Sequence, residues 1–398
     1  MSSRRQFLRS SVVFSLTPTL PTFLCRLAAA EKQPDNGRLL VVIQLDGGND
    51  GINTVVPTKD DGYAQHRRAL RLPDADLIKV ANEFALHPRL RSISQLFEEG
   101  RLSIAHGVGY PNPNRSHFES MRIWQAGSTN PEIFNSGNGW IGDAFGATPV
   151  HPGETQAIHV GQESLPLALV GRRCNAAAIS DPAEIQLRPE VSQPSAGNLD
   201  SIENTLSDFV SRRVNQAYVS ATQLRQATIE DSSARYPDNR LGQKLKLVSQ
   251  LMKTGTGASV YYTSQAGYDT HAGQISTHAD LLGELSSSLK AFMDDMKQSG
   301  MEDRVLVMCF SEFGRRVAEN DSLGTDHGTA GPVLLAGSCM AERTYGELPL
   351  LTDLDDGDLR FNLDFRELYS AIVTDWLGLK VTAALRDYRM ERLFRPLG

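Results

Sequence analysis

Residues 304–335 read RVLVMCFSEFGRRVAENDSLGTDHGTAGPVLL. The run 305–310 is apolar and of β type, which predicts a strand buried on both faces. It stops at Ser311-Glu312-Phe313-Gly314. A polar loop leads on to Thr325-Asp326-His327-Gly328, and a second apolar run, 332–335, begins almost at once. A buried strand that delivers a glutamate at its carboxyl end, with Asp-His beside glycine after it, is how an open α/β sheet presents a site. Ligands and metals collect outside the carboxyl ends of such strands.

The same arrangement recurs upstream. Residues 39–45, LLVVIQL, form a continuous apolar run that ends in Asp46-Gly47-Gly48-Asn49-Asp50-Gly51. Two glycines after an aspartate let the backbone turn tightly and leave the carboxylate at the sheet's edge. Residues 102–108, LSIAHGV, lead through a Pro/Asn-rich turn to Ser116-His117-Phe118-Glu119. Ser116 with Glu119 fits a capping box. A serine at a helix start also stands where free N–H groups favour an anion, so Ser116 is equally a candidate nucleophile. Residues 259–264, SVYYTS, lead to Tyr268-Asp269-Thr270-His271. A long helix over about 274–300, with Leu281, Leu282, Leu285, Leu289, Phe292 and Met296 inward, joins that strand to 305–310. This is the strand–helix–strand order of a parallel crossover. These four strands are expected to be neighbours in an α/β sandwich with a mainly parallel central sheet.

Elsewhere the pattern predicts helices over 88–100, 140–146, 202–226 and 239–253, and an amphipathic helix over 365–377. Short strands are expected at 157–160 and 167–170. The Pro-, Ser- and Asp-rich stretch 180–200, together with the helices that follow it, reads as a helical insertion or cap over about 180–255.

The N-terminus is read separately. Ser3-Arg4-Arg5-Gln6-Phe7-Leu8 is a twin-arginine pattern, and Ala28-Ala29-Ala30 offers small residues for a signal peptidase. Residues 1–30 are therefore expected to be a signal peptide, residues 31–398 the mature domain, and the location periplasmic or extracellular. The apolar stretch 11–27 is broken by Pro18 and Pro21 and is too short for a stable membrane span. Cys25 follows Phe23-Leu24, too bulky for lipid attachment. Cys174, Cys309 and Cys339 provide no disulfide framework. With 47 acidic and 40 basic residues the formal net charge is −7, which argues against a nucleic-acid partner.

Asp46, Ser116, Asp269, His271, Glu312, Asp326 and His327 thus gather at strand ends. Carboxylate and imidazole donors favour Zn²⁺ or Mn²⁺ over Ca²⁺, as one or two ions. Such ions hold a phosphoryl or sulfuryl ester and activate an oxygen nucleophile, here Ser116. Asp269, His271 and His327 are expected in one cluster; Asp46, Ser116 and Glu312, with Asp326, in the other. Asn49 and Asp50 are expected to orient ligands. His117 and Ser120 are the nearest rivals of Ser116, and Arg115, Arg315 and Arg316 are candidates to clamp an anion. Two other readings stay open. One is a non-catalytic exported protein that binds an anion, a glycan or a protein. The other is a glycoside hydrolase with paired carboxylates, which leaves both histidines idle.

The leader, LDGGNDG, NRSHFES, YDTH, SEFGRR and GTDHG occur here in an order that resembles the bacterial family called domain of unknown function 1501. That family is similar to a branch of the alkaline phosphatase and sulfatase superfamily, and the resemblance covers nearly all of the mature chain. It implies a three-layer, alkaline-phosphatase-like fold and hydrolysis of small-molecule or glycan-linked anionic esters. It also implies that Asp46, Asp269, His271 and His327 bind metal and that Ser116 is the nucleophile. Three departures stand out. Asp269 and His271 are closer in sequence than in phosphatases. Ser311-Glu312 replaces an Asp-His pair. The nucleophile position is serine, with no cysteine for formylglycine conversion, which counts against an ordinary sulfatase.

Overall fold

The computed structural model describes residues 37–146, 155–179 and 234–396. The expected signal peptide, the helix over 202–226 and the part of the expected insertion at 180–233 lie outside the described residues. In chain order the elements used below are β1 (Leu39–Asp46), α1 (Arg91–Glu98), β2 (Leu102–Gly109), α2 (His117–Ala126), α3 (Trp140–Gly146), β3 (Ala157–Val160) and β4 (Ala176–Ile179). Then come α4 (Arg240–Lys253), β5 (Val260–Ala266), α5 (Gln274–Gln298), β6 (Val305–Phe310), β7 (Gly331–Ala336), β8 (Thr344–Tyr345), β9 (Leu363–Asp364) and α6 (Phe365–Ala371).

β1 lies inside a nine-stranded sheet ordered β8-β2-β7-β6-β1-β5-β3-β4, with β9 also against β2. It pairs in parallel on both sides, with Val42 opposite Tyr262 and Met308. β7 is antiparallel to both of its neighbours, β6 and β2. The remaining strands share one direction, so the sheet is mainly parallel as expected. One expectation is corrected. The run 102–108 is not next to the other three strands, because β7 takes the place between β2 and β6. An apolar run such as 332–335 carries no mark of its direction, so sequence pattern alone did not place it.

Successive side chains of a strand alternate between faces. Val41, Ile43 and Val307 pack with Leu96 of α1, Leu245 of α4 and Leu289 of α5. Leu40, Val42 and Met308 pack with Trp124 of α2, Ile141 of α3 and Tyr369 of α6. The result is helix, sheet, helix: a three-layer α/β sandwich. α4 buries Leu241, Leu245, Val248 and Leu251 in the first layer, so residues 240–253 belong to the core and not to a cap. The stretch expected as a strand at 167–170 is a 3₁₀ turn, Leu167–Leu169, whose Leu169 N–H bonds back to the Pro166 carbonyl. α6 runs on into a π turn, Ile372–Trp376, and even its Arg366 is buried, against Asp364. The expected amphipathic face is therefore absent there. No helix among the described residues is long and apolar enough to cross a membrane.

Because β1, β2, β5 and β6 point the same way, the loops that follow them emerge at one edge. β7 starts from that same edge.

Candidate metal centre

The loops after β1 and β5 meet closely. Gly47 and Gly48 have φ of 118° and 77°. A Cβ on Gly47 would lie 2.3 Å from the Asp269 backbone nitrogen, so glycine is required for this approach. Arg315, fully buried, stitches the loops together. Its Nε donates to Gly48 O at 2.7 Å and its Nη1 to Thr325 O at 2.8 Å. Its Nη2 donates to Tyr268 O at 2.9 Å, to Asp269 Oδ1 at 2.8 Å and to Gly47 O. This guanidinium is consumed by the scaffold and is not free to clamp an anion. Arg115 is paired with Asp358, and Arg316 donates to Asp356 O at 2.9 Å, so those two are engaged as well.

Three histidines converge on Asp269. From its Oδ1, His271 Nε2 lies 3.0 Å away, His327 Nε2 3.1 Å and His117 Nε2 3.4 Å. His271 Nε2 and His327 Nε2 are 2.9 Å apart. Donor atoms of His117, Asp269 and His327 all lie within 4.8 Å of one another. The far side of each ring is held by an acceptor. His117 Nδ1 is 2.8 Å from Glu312 Oε1, His271 Nδ1 is 3.2 Å from Asp326 Oδ1, and His327 Nδ1 is 2.8 Å from Arg115 O. Carboxylates and carbonyls accept only, which assigns a proton to Nδ1 in each ring and makes Nε2 the lone-pair atom of the neutral form.

Those three lone pairs face an ionised carboxylate. Burial would raise the Asp269 pKa, but the hydrogen bond from Arg315 and the nearby positive charge hold it down to about 2. Lone pairs and a carboxylate at this spacing repel one another unless positive charge is shared among them. His327 does not readily supply it as a proton, because its partial burial lowers its pKa. His117 is held the other way, its pKa raised chiefly by the hydrogen bond to Glu312. Its Nε2 is nevertheless buried with no hydrogen-bond partner. An orphaned imidazole nitrogen beside two others and a carboxylate is the donor set of a Zn²⁺-like ion. The residues fit a divalent metal.

The remaining expected site residues fall elsewhere. Glu312, nearly fully buried, stands behind His117, bonded also by Gly47 N–H at 3.0 Å and the Ser311 hydroxyl at 3.0 Å. Asp326 stands behind His271. Neither is directed at the common point; each orients a ring, which is how carboxylates tune metal-bound histidines. Asp46 accepts from Gln44, and burial pushes its pKa up to about 6. Among the described residues, Asp46, Glu312 and Asp326 do not form a group of three converging donor atoms. Asn49 bonds Thr54 and His278, and Asp50 is fully buried against Arg67, so both brace the scaffold around the site. Ser116 caps α2 by position, but its side chain makes no capping hydrogen bond, so the expected capping box is not formed. Its side chain is exposed, between Arg115 and His117. The Ser120 hydroxyl is buried and donates to Glu312 O at 2.6 Å. His117 is the residue that sequence reasoning ranked too low. Its signal was its place directly after the candidate nucleophile.

A family model described as protein of unknown function (DUF1501) matches residues 38–356. No curated protein matches the chain in sequence. Among solved structures, the C-terminal periplasmic domain of EcEptC from Escherichia coli, in complex with Zn, is 11% identical with a TM-score of 0.41, over 89% of this chain and 86% of that one. The lipoteichoic acid synthase LtaP from Listeria monocytogenes is 8% identical with a TM-score of 0.42, over 93% and 81%. A protein in the alkaline phosphatase superfamily from Vibrio parahaemolyticus is 11% identical with a TM-score of 0.42, over 95% and 79%.

Proposed function

The chain belongs to the DUF1501 family of proteins of unknown function, and we propose that it is an exported, metal-dependent hydrolase of phosphate or sulfate esters. One observation carries this reading: three imidazole Nε2 atoms, each with its Nδ1 tied to an acceptor, converge on Asp269. His117, Asp269, His271 and His327 would hold a single ion, Zn²⁺ or Mn²⁺ by donor type. A bound ion of this kind supplies a Lewis acid for an ester oxygen and lowers the pKa of a hydroxyl.

The chain's own groups do the rest. Glu312, Asp326 and the Arg115 carbonyl keep the Nδ1 protons in place and the Nε2 atoms bare. Arg315 keeps Asp269 ionised. Ser116 is the proposed nucleophile. Its hydroxyl is not spent on capping, and it opens the ten-residue α2, whose first N–H groups are placed to hold the ester's anionic oxygens. The partner is a small-molecule or glycan-linked anionic ester. The engagement of Glu312 and Asp326 with histidines supports this reading over a paired-carboxylate glycosidase.

The test is metal analysis of the purified protein followed by a phosphate and sulfate ester panel with Zn²⁺ or Mn²⁺ added. A single bound ion and chelator-sensitive hydrolysis are expected. A protein that takes up neither ion and turns over no ester is instead a binding protein. Export rests on Arg4 and Arg5. Changing both to lysine should retain the precursor inside the cell, and undiminished export would end the twin-arginine reading.

A further inference from the structure

Gln274, the first residue of α5, is fully buried. Its Oε1 accepts from Thr270 Oγ1 at 3.0 Å and from Thr325 Oγ1 at 2.6 Å. Its Nε2 donates to Asp50 Oδ2. Asp50 in turn receives both Nη atoms of Arg67, at 2.7 and 3.1 Å. Arg67 is anchored to the carbonyls of Val317 and Arg316. The whole chain of groups is buried and each side chain in it is hydrogen-bonded.

Burying an amide, two hydroxyls and an ion pair is costly, and good hydrogen bonds only offset that cost. Apolar residues of similar volume often stabilise such a place as well or better. Stability alone therefore does not account for this network, but its location does. Thr270 sits between Asp269 and His271, and Thr325 directly precedes Asp326-His327. A single amide oxygen holds both loops that carry Asp269, His271 and His327. We propose that Gln274 is a positioning residue, which fixes the spacing of these donors through the hydroxyls of Thr270 and Thr325. The proposal rests on the metal reading for its purpose, while the clamp itself is testable without metal.

The loops also share a backbone hydrogen bond, Thr325 N to Thr270 O at 3.2 Å. Losing the side-chain clamp should therefore loosen the donors without separating the loops. Thr325→Val keeps the shape and removes the hydroxyl; Thr325→Ser keeps the hydroxyl; Gln274→Leu removes the acceptor. Two readouts are taken on full-length protein. The first is the ring nitrogen resonances of His271 and His327 in metal-free protein. These should shift or broaden in Thr325→Val and Gln274→Leu, and match the parent in Thr325→Ser. The second is the Zn²⁺ dissociation constant by chelator competition. It should rise about 10–100-fold in the first two variants and stay near the parent value in Thr325→Ser. Variants that melt lower yet keep both the ring resonances and the Zn²⁺ affinity would show a merely structural role and overturn the proposal. If the parent takes up no Zn²⁺, the metal reading fails, and the ring resonances still decide the clamp. If Gln274→Leu does not fold, the Thr325 pair decides it.

Discussion

Glu312 Oε1 lies 2.8 Å from His117 Nδ1 and accepts the Gly47 N–H at 3.0 Å, with the glutamate 2% exposed. One buried carboxylate thus fixes both a histidine ring and the turn after β1. Glu312→Leu removes the single oxygen that both donors share. Zn²⁺ affinity should fall about 10–100-fold, and stability by about 1–3 kcal/mol from the donor left unpaired. Chelator competition and urea unfolding measure the two. Unchanged affinity would remove Glu312 from the orientation of His117.

Ser116→Ala separates chemistry from capping. Replacing a bonded N-cap serine by alanine costs about 0.5–2 kcal/mol, but the Ser116 side chain makes no such bond. The variant should therefore melt with the parent, keep its metal and lose most ester turnover. Full turnover would exclude Ser116 as the nucleophile.

Gly47→Ala tests the close approach of the two loops. The added Cβ would meet the Asp269 nitrogen at 2.3 Å, on a backbone with φ of 118°. The strained backbone alone costs about 1–3 kcal/mol, and relief of the clash must displace Asp269. Chemical denaturation should show the loss of stability, and Zn²⁺ titration a much weaker site. A variant with normal stability and affinity would contradict the described contact.

Buried histidines set the acid limb of stability. Burial lowers the pKa of His278 from 6.5 to about 4, and that of His106 likewise. Between those values the unfolded chain binds protons that the folded chain does not. Stability should thus fall as pH drops from 6.5 to about 4, and each group's contribution should level off below that. Each such histidine contributes a slope of up to about 1.4 kcal/mol per pH unit. His278 Nε2 lies 2.9 Å from Asn49 Oδ1, and glutamine at 278 also offers a donor. His278→Gln should flatten the limb by about one proton's worth. Urea unfolding across this range checks it, and an unaltered slope would refute the assignment.

The ends of β1, β5 and β6 were legible because each is an apolar run that halts at a polar turn, a pattern that burial on both faces imposes. Asp269, His271 and His327 were legible for the same reason. The roles of Glu312 and Asp326 were not. An acid that binds a metal and an acid that holds the histidine behind it are the same residue in sequence; only the direction of a ring's Nδ1 distinguishes them. Arg315 was misread for a related reason. Nothing in SEFGRR tells which arginine faces inward, and the buried one is spent on five acceptors. The direction of β7 was equally hidden, since hydrophobic pattern fixes faces and not polarity.

That reversed strand makes the segment 311–330 the head of a hairpin. Since β7 returns beside β6, the chain leaves and re-enters the sheet at the same edge, as a hairpin with an enlarged head. Its neck is pinned by backbone bonds from Gly314 N to Thr329 O at 2.7 Å and from Gly328 N to Gly314 O at 2.9 Å. Loop-closure entropy grows only logarithmically with length, about 0.6 kcal/mol per doubling. Closing this head therefore costs little entropy, and what fixes its path is the set of bonds that Arg315, Glu319, Asn320 and Thr325 make to Gly48, Ala69, His271 and Gln274.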